Sequence, residues 1–173
     1  MSTYRFVVVA TVSVWFAGVA PNHARRDPLP FTRADADPDA CGLLTETDVN
    51  TALEVKSLPG THTVQSSTKI CSWSDVAGNN TDHRRVIVSL TSAATFNALK
   101  SRAGIMTIEP VSGIGDDAFY AIPKSSESPF LYARKGNAAF SVRILNGLKL
   151  KAFTRDQEKT KEAALAKAAA GRL

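Results

Sequence analysis

The sequence predicts an α+β fold: an antiparallel sheet of about five to six strands with helices packed on one face, preceded by a signal peptide and a disordered linker. Three observations carry it. Short alternating apolar runs are bounded by glycine and asparagine; helical periodicity is confined to three stretches; and the strands come in groups instead of alternating with crossover helices.

In chain order, Met1 to Arg5 is a short positive leader, and Phe6 to Ala20 is an uncharged apolar run ending in small residues. That is the layout of a secretory signal, and the run is short for a permanent span, which needs about 20 apolar residues. Residues 1–24 are therefore expected to be a signal peptide, cut after Ala20 or Ala24, with a retained anchor as the competing reading. Residues 25–40 hold Pro28, Pro30 and Pro38 among alternating Asp and Ala, which suits an unpacked tether. Residues 41–173 are then one domain.

Thr45 and Asp48 form a capping pair ahead of Val49, Ala52 and Leu53, so a helix is expected over about 45–55, stopped by Pro59-Gly60. Ile70 to Val76 alternates, with Cys71 and Trp73 on one face. After the Gly78-Asn79-Asn80 loop, Val86, Val88 and Leu90 mark its antiparallel partner. Thr91 or Ser92 caps a second helix through Ala93, Phe96 and Leu99. Ile105 to Glu109 and Ala118 to Ile122 are the next strands, separated by the Gly113-Ile114-Gly115-Asp116 loop. Phe130 to Lys135 and Ala138 to Leu145 flank Gly136-Asn137, a two-residue hairpin loop. Thr154 with Gln157 caps a terminal helix whose stripe is read as Ala164, Leu165, Ala168 and Ala169.

Charge and composition exclude several functions. Of the net +5, the first 26 residues carry Arg5, Arg25 and Arg26 with no acid, and 147–173 is also strongly basic, whereas 27–146 holds 11 bases against 13 acids. No continuous basic stripe with interleaved aromatics remains, so nucleic-acid binding is not expected. With 2 Cys and 3 His, no dedicated metal site is expected, nor any cofactor. An exported chain with two cysteines forms one disulfide, Cys41 to Cys71, with a structural role.

Nucleophile-elbow, phosphate-loop, dinucleotide and His-Glu-x-x-His motifs are all absent. Asp116 and Asp117 offer an adjacent carboxylate pair, but neighbouring strand residues point to opposite faces, so a glycine-permitted turn with Asp accepting backbone N–H groups is the simpler reading. Trp73, Tyr120 and Tyr132 remain as aromatic candidates for a ligand groove, set against ordinary core placement.

The segments DACGLLTETDV, STKICSWSD, PVSGIGDDAFY and EKTKEAALAKAAAGRL occur in that order. Through them, over about residue 40 to 173, the chain resembles small exported bacterial cell-envelope proteins of unknown function, a lipoprotein-like group best known from actinobacteria. The resemblance implies a two-cysteine α+β domain outside the cytoplasm and brings no catalytic residues. No cysteine follows the apolar run closely, a departure from the lipoprotein members.

The sequence thus points to a secreted or periplasmic, non-catalytic binding or accessory domain whose partner is an envelope protein or small molecule, without a permanent membrane span. The alternative is a small exported hydrolase using Asp116 or Asp117. A reporter enzyme that works only outside the cytoplasm, fused after residue 30, should be active; a silent fusion rejects export.

Overall fold

The computed structural model describes residues 38–75, 83–125, 128–147 and 153–173. The expected signal peptide, and the expected linker as far as residue 37, lie outside them. Packing begins before Cys41: Ala40 is fully buried in a 3-10 turn, Ala40–Gly42, and Asp39 accepts the Cys41 N–H at 2.9 Å. The end of the predicted linker is therefore part of the fold, because the disulfide draws it in.

Helix α1 spans Glu46–Leu53, with the Thr45/Asp48 capping box closed in both directions. It stops before Pro59-Gly60. Glu54 takes the left-handed conformation (φ 59°) and donates its N–H to the Asn50 carbonyl at 2.9 Å. Val49, Ala52 and Leu53 form its buried face. The chain then turns back over the Trp73 ring at Gly60, where a Cβ would lie 2.5 Å from the indole and 2.9 Å from Cys71 Sγ.

Among the described residues seven strands follow in one antiparallel sheet: β1 (Thr61–His62), β2 (Ile70–Ser74), β3 (Arg85–Ser92), β4 (Met106–Val111), β5 (Asp117–Pro123), β6 (Phe130–Lys135) and β7 (Ala138–Leu145). Their order is β1-β2-β3-β7-β6-β5-β4. The count exceeds the expected five to six because β1 pairs with β2 over only two residues in a polar stretch, without an alternating pattern to announce it. The β6–β7 hairpin turns as the glycine suggests, with Gly136 at φ 57°. In the loop before β5, Gly115 (φ 56°) passes so close to the Arg134 carbonyl that a Cβ would lie 2.4 Å from it.

Alternation sorts the sheet into two faces. The first carries Cys71, Trp73, Val86, Val88, Tyr120, Leu131, Phe140, Val142 and Ile144, and it buries them against α1 and helix α3 (Arg155–Gly171). The second face carries Phe119, Ala121, Tyr132 and Ala139. Helix α2 (Ala93–Lys100) packs Phe96 there, 4.9 Å from the Phe119 ring centroid. Helices thus lie on both faces instead of one. The physical reason is that α2 follows β3 directly at Ser92, and the chain leaves that strand on the second side.

Cys41 and Cys71 are joined; Cys71 lies in the larger core, and Cys41 packs against it, partly buried. The bond ties the 3-10 turn to β2 across a separation of 30 residues. Such closure is worth on the order of 3–4 kcal/mol in the chain-entropy account. Denatured, unreduced protein should accordingly show no free thiol, and the Cys41→Ser/Cys71→Ser variant should unfold at lower urea by roughly that free energy. Equal midpoints would reject the structural role.

Candidate functional site

Each residue singled out from the sequence has a definite place. Trp73 is 2% exposed, enclosed by Gly60 and Cys71, and belongs to the core. Tyr120 is buried on the same face and donates its hydroxyl to the Lys159 carbonyl at 2.5 Å; burial first, then the Glu162 and Glu109 charges, push its phenol upward. Tyr132 lies on the second face, stacked 5.5 Å from Phe119. The three aromatics therefore line no common groove. Asp116 accepts the Gly136 N–H at 2.7 Å, which locks the loop to the β6–β7 turn. Asp117 receives Lys100 Nζ on both oxygens, at 2.8 and 2.6 Å, and so fastens the end of α2 to β5. The two carboxylates serve different bonds and do not converge.

Asp39, Cys41 and His62 place ligand-type atoms within 4.8 Å of one another. The Cys41 sulfur is spent in the disulfide, so only two donors remain, and those bond each other at 2.8 Å. The His62 bond, followed by the Cys41 N–H, holds the Asp39 carboxyl below its usual range. This is a surface clasp.

Sequence reasoning missed Glu162. It sits on the buried side of α3, 1% exposed, in step with Leu165, Ala166 and Ala169. Its Oε1 accepts the Ile144 N–H at 2.8 Å, beyond the last β6–β7 pair, Leu131 with Val142. The glutamate thus supplies an acceptor to a backbone donor at a point where β7 no longer pairs with β6. Oε2 finds no hydrogen-bond partner. Burial, with the nearby Glu158 charge adding to it, pushes the carboxyl up to about 8 against the opposing effects of the Ile144 bond and Arg143. Glu158, raised by burial, is held by Asn146 Nδ2. Lys159 completes the row by pairing with Glu109, which Arg155 also approaches at 3.6 Å.

Two open cavities adjoin the helices and strand ends. One, of about 350 Å³, runs between α1 and α3 over Ala52, Ala164, Leu165 and Ala168. Its rim charges are committed, Asp48 to Arg172 at 2.8 Å and Lys161 to Glu54 at 2.6 Å. The other, of about 510 Å³, lies where β3 ends, beside Leu90, Ser92 and Ala138. Neither of these two is lined by Asp116, Asp117 or the three aromatics.

The second sheet face offers a different surface. Helix α2 covers it at Phe119, Ala121 and Ala139, while further along β3 and β7 the partly buried Arg85, Ile87, Ser89, Ser141 and Arg143 face the same side. The Arg143 guanidinium lies 4.1 Å from the Phe130 ring centroid, and its Nε is buried with no hydrogen-bond partner. Arg85 donates to His83 Nε2 at 2.9 Å. Among the described residues no carboxylate pairs with either arginine. The register beside Arg143, which links residues far apart in the chain, makes Arg85 half of a cluster.

Comparison of the chain with protein-family models, curated proteins and solved structures finds no match. The geometry alone therefore carries the functional reading.

The raised Glu162 carboxyl makes stability depend on pH. The folded protein keeps a proton that the unfolded chain releases near its ordinary value of 4.5, so stability is full below about 4.5 and declines as pH rises through about 8. The loss should amount to a few kcal/mol, on the order of 1.4 per pKa unit. In Glu162→Gln, which keeps the acceptor for Ile144, the melting temperature should stay nearly level from about pH 5 to 9 and exceed that of the parent at the alkaline end. Parallel curves for the two proteins would refute the assignment.

Proposed function

We propose that this domain is a secreted or periplasmic, non-catalytic binding or accessory module of the cell envelope. The observation that carries the reading is the half-covered second sheet face, where Arg85 and Arg143 stand among Ile87, Phe130 and Ser141 without carboxylate partners among the described residues. A stable strand face that places unneutralised guanidinium groups beside apolar contacts suits recognition, because charge supplies specificity and the flat apolar neighbours supply area. The apolar N-terminal run supports the location.

The hydrolase alternative would need Asp116 or Asp117 to act as acid, base or nucleophile. Asp116 is bonded to the Gly136 N–H and Asp117 is neutralised by Lys100, so using either would first break a contact that holds a loop or a helix. No specific feature favours that reading. Among the described residues no helix is long and apolar enough to cross a membrane.

A photo-crosslinking side chain placed at Ile87 in the full chain, expressed in its native envelope, should give a discrete adduct with an envelope component. The same probe at Thr160, on the α1–α3 side, should not. Recovery of no adduct from Ile87, or of identical adducts from both positions, rejects this face as the binding surface.

A further inference from the structure

The β3–β7 register sets Ile87 opposite Arg143 and Arg85 opposite Leu145. The two arginines are therefore diagonal neighbours on one face, about 7–8 Å apart at their Cα atoms. An extended polypeptide presents its same-side side chains every second residue, about 6.6–6.8 Å apart. The two spacings are comparable, and the long arginine side chains can take up the difference.

The guanidinium of Arg143 lies 4.1 Å from the Phe130 ring centroid, and its two terminal nitrogens are the groups that can give a carboxylate a forked, two-bond geometry. Its Nε–H is buried without an acceptor. Glu158 and Glu162 feel the Arg143 charge, but neither contacts it, and both sit on α3 across the sheet. Among the described residues Arg85 bonds an imidazole, and neither guanidinium has a carboxylate in contact. Ile87 and Ser141 lie between and beside them on the same side, one to pack against a side chain and one to bond a peptide group.

Resting on the binding-module reading, we propose that the part of this face beyond α2 binds an extended acidic polypeptide, with carboxylates at alternate positions taken by Arg85 and Arg143. A membrane surface of anionic lipids offers similar charge, but α2 stands on the other half of the face as a ridge about 10 Å across. A planar bilayer meets that ridge before it meets the arginines, whereas a single extended chain lies beside it.

The test is fluorescence anisotropy of the full chain with a labelled peptide of alternating Glu and Ser, an alternating Lys and Ser peptide of equal length, and phosphatidylglycerol vesicles. The Glu peptide should bind and weaken as salt rises, and the Lys peptide should not bind. Arg85→Gln and Arg143→Gln should each weaken binding roughly tenfold, while Arg155→Gln, outside the face, should leave it unchanged. Arg143→Lys should fall between parent and Gln, since it keeps charge without the fork. The pair Arg85→Glu/Arg143→Glu should reverse preference toward the Lys peptide, a gain that an unfolded variant cannot give. Glu-peptide binding unaltered in the double Gln variant overturns the proposal. So does arginine-dependent binding of the vesicles without peptide binding. Should the Glu peptide fail while the Ile87 crosslink still captures an envelope component, this ligand chemistry falls and the binding-module reading stands.

Discussion

The pairing of β3 with β7 is the constraint on which the remaining architecture depends. It joins a three-strand unit built before residue 93 to a four-strand unit built after 105, along eight residue pairs from Arg85 with Leu145 to Ser92 with Ala138. Because side chains alternate with period two, that one register decides everything above and below the sheet. Val86, Val88, Phe140, Val142 and Ile144 go to the core under α1 and α3, and Arg85, Ile87, Ser141 and Arg143 go to the other side. A slip by one residue would turn one strand over against the other, either burying Arg85 and exposing Val86 and Val88 or burying Arg143 and exposing Phe140, Val142 and Ile144.

The opposite faces are held by different physics. Beneath α3, packing is dominated by small residues, with Ala166 and Ala169 fully buried and letting the helix approach the strands closely. Glu162 enters this interface because a strand N–H there lacks a strand acceptor, and an unpaired buried donor costs about 1–3 kcal/mol. On the second face, Phe96, Phe119 and Tyr132 make a compact aromatic cluster that needs only one short helix to close it. Asp117 and Lys100 pin that helix, so the pair singled out for chemistry is better understood as part of the scaffold.

Much of this was legible in the linear chain. Both capping boxes, the β6–β7 hairpin, the β2–β3 pairing and the shared face of Cys71 and Trp73 follow from local spacing, and each occurs where spacing puts it. What escaped is non-local. The terminal helix contains so many alanines that several stripes fit equally well; the reading through Ala164, Leu165, Ala168 and Ala169 shares Leu165 and Ala169 with the buried stripe but is offset from it by one residue, about 100°, and so passes over the buried Glu162. Counting back three from Leu165 along the true stripe would have reached that glutamate. The pairing of Arg85 with the neighbourhood of Arg143 depends on contact between strands more than fifty residues apart, which no window of local periodicity contains. The side chosen by α2 likewise depends on how the chain leaves β3.

One consequence concerns the order in which the molecule is made. Helix α3 follows all seven strands, yet it covers the greasy side of the sheet they form. Until that helix has been synthesised, Phe140, Val142 and Ile144 lack the larger part of their cover, and their strand β7 itself arrives late. Closure of this core therefore waits on the last residues of the chain, and contacts of such long sequence separation belong to slowly folding topologies.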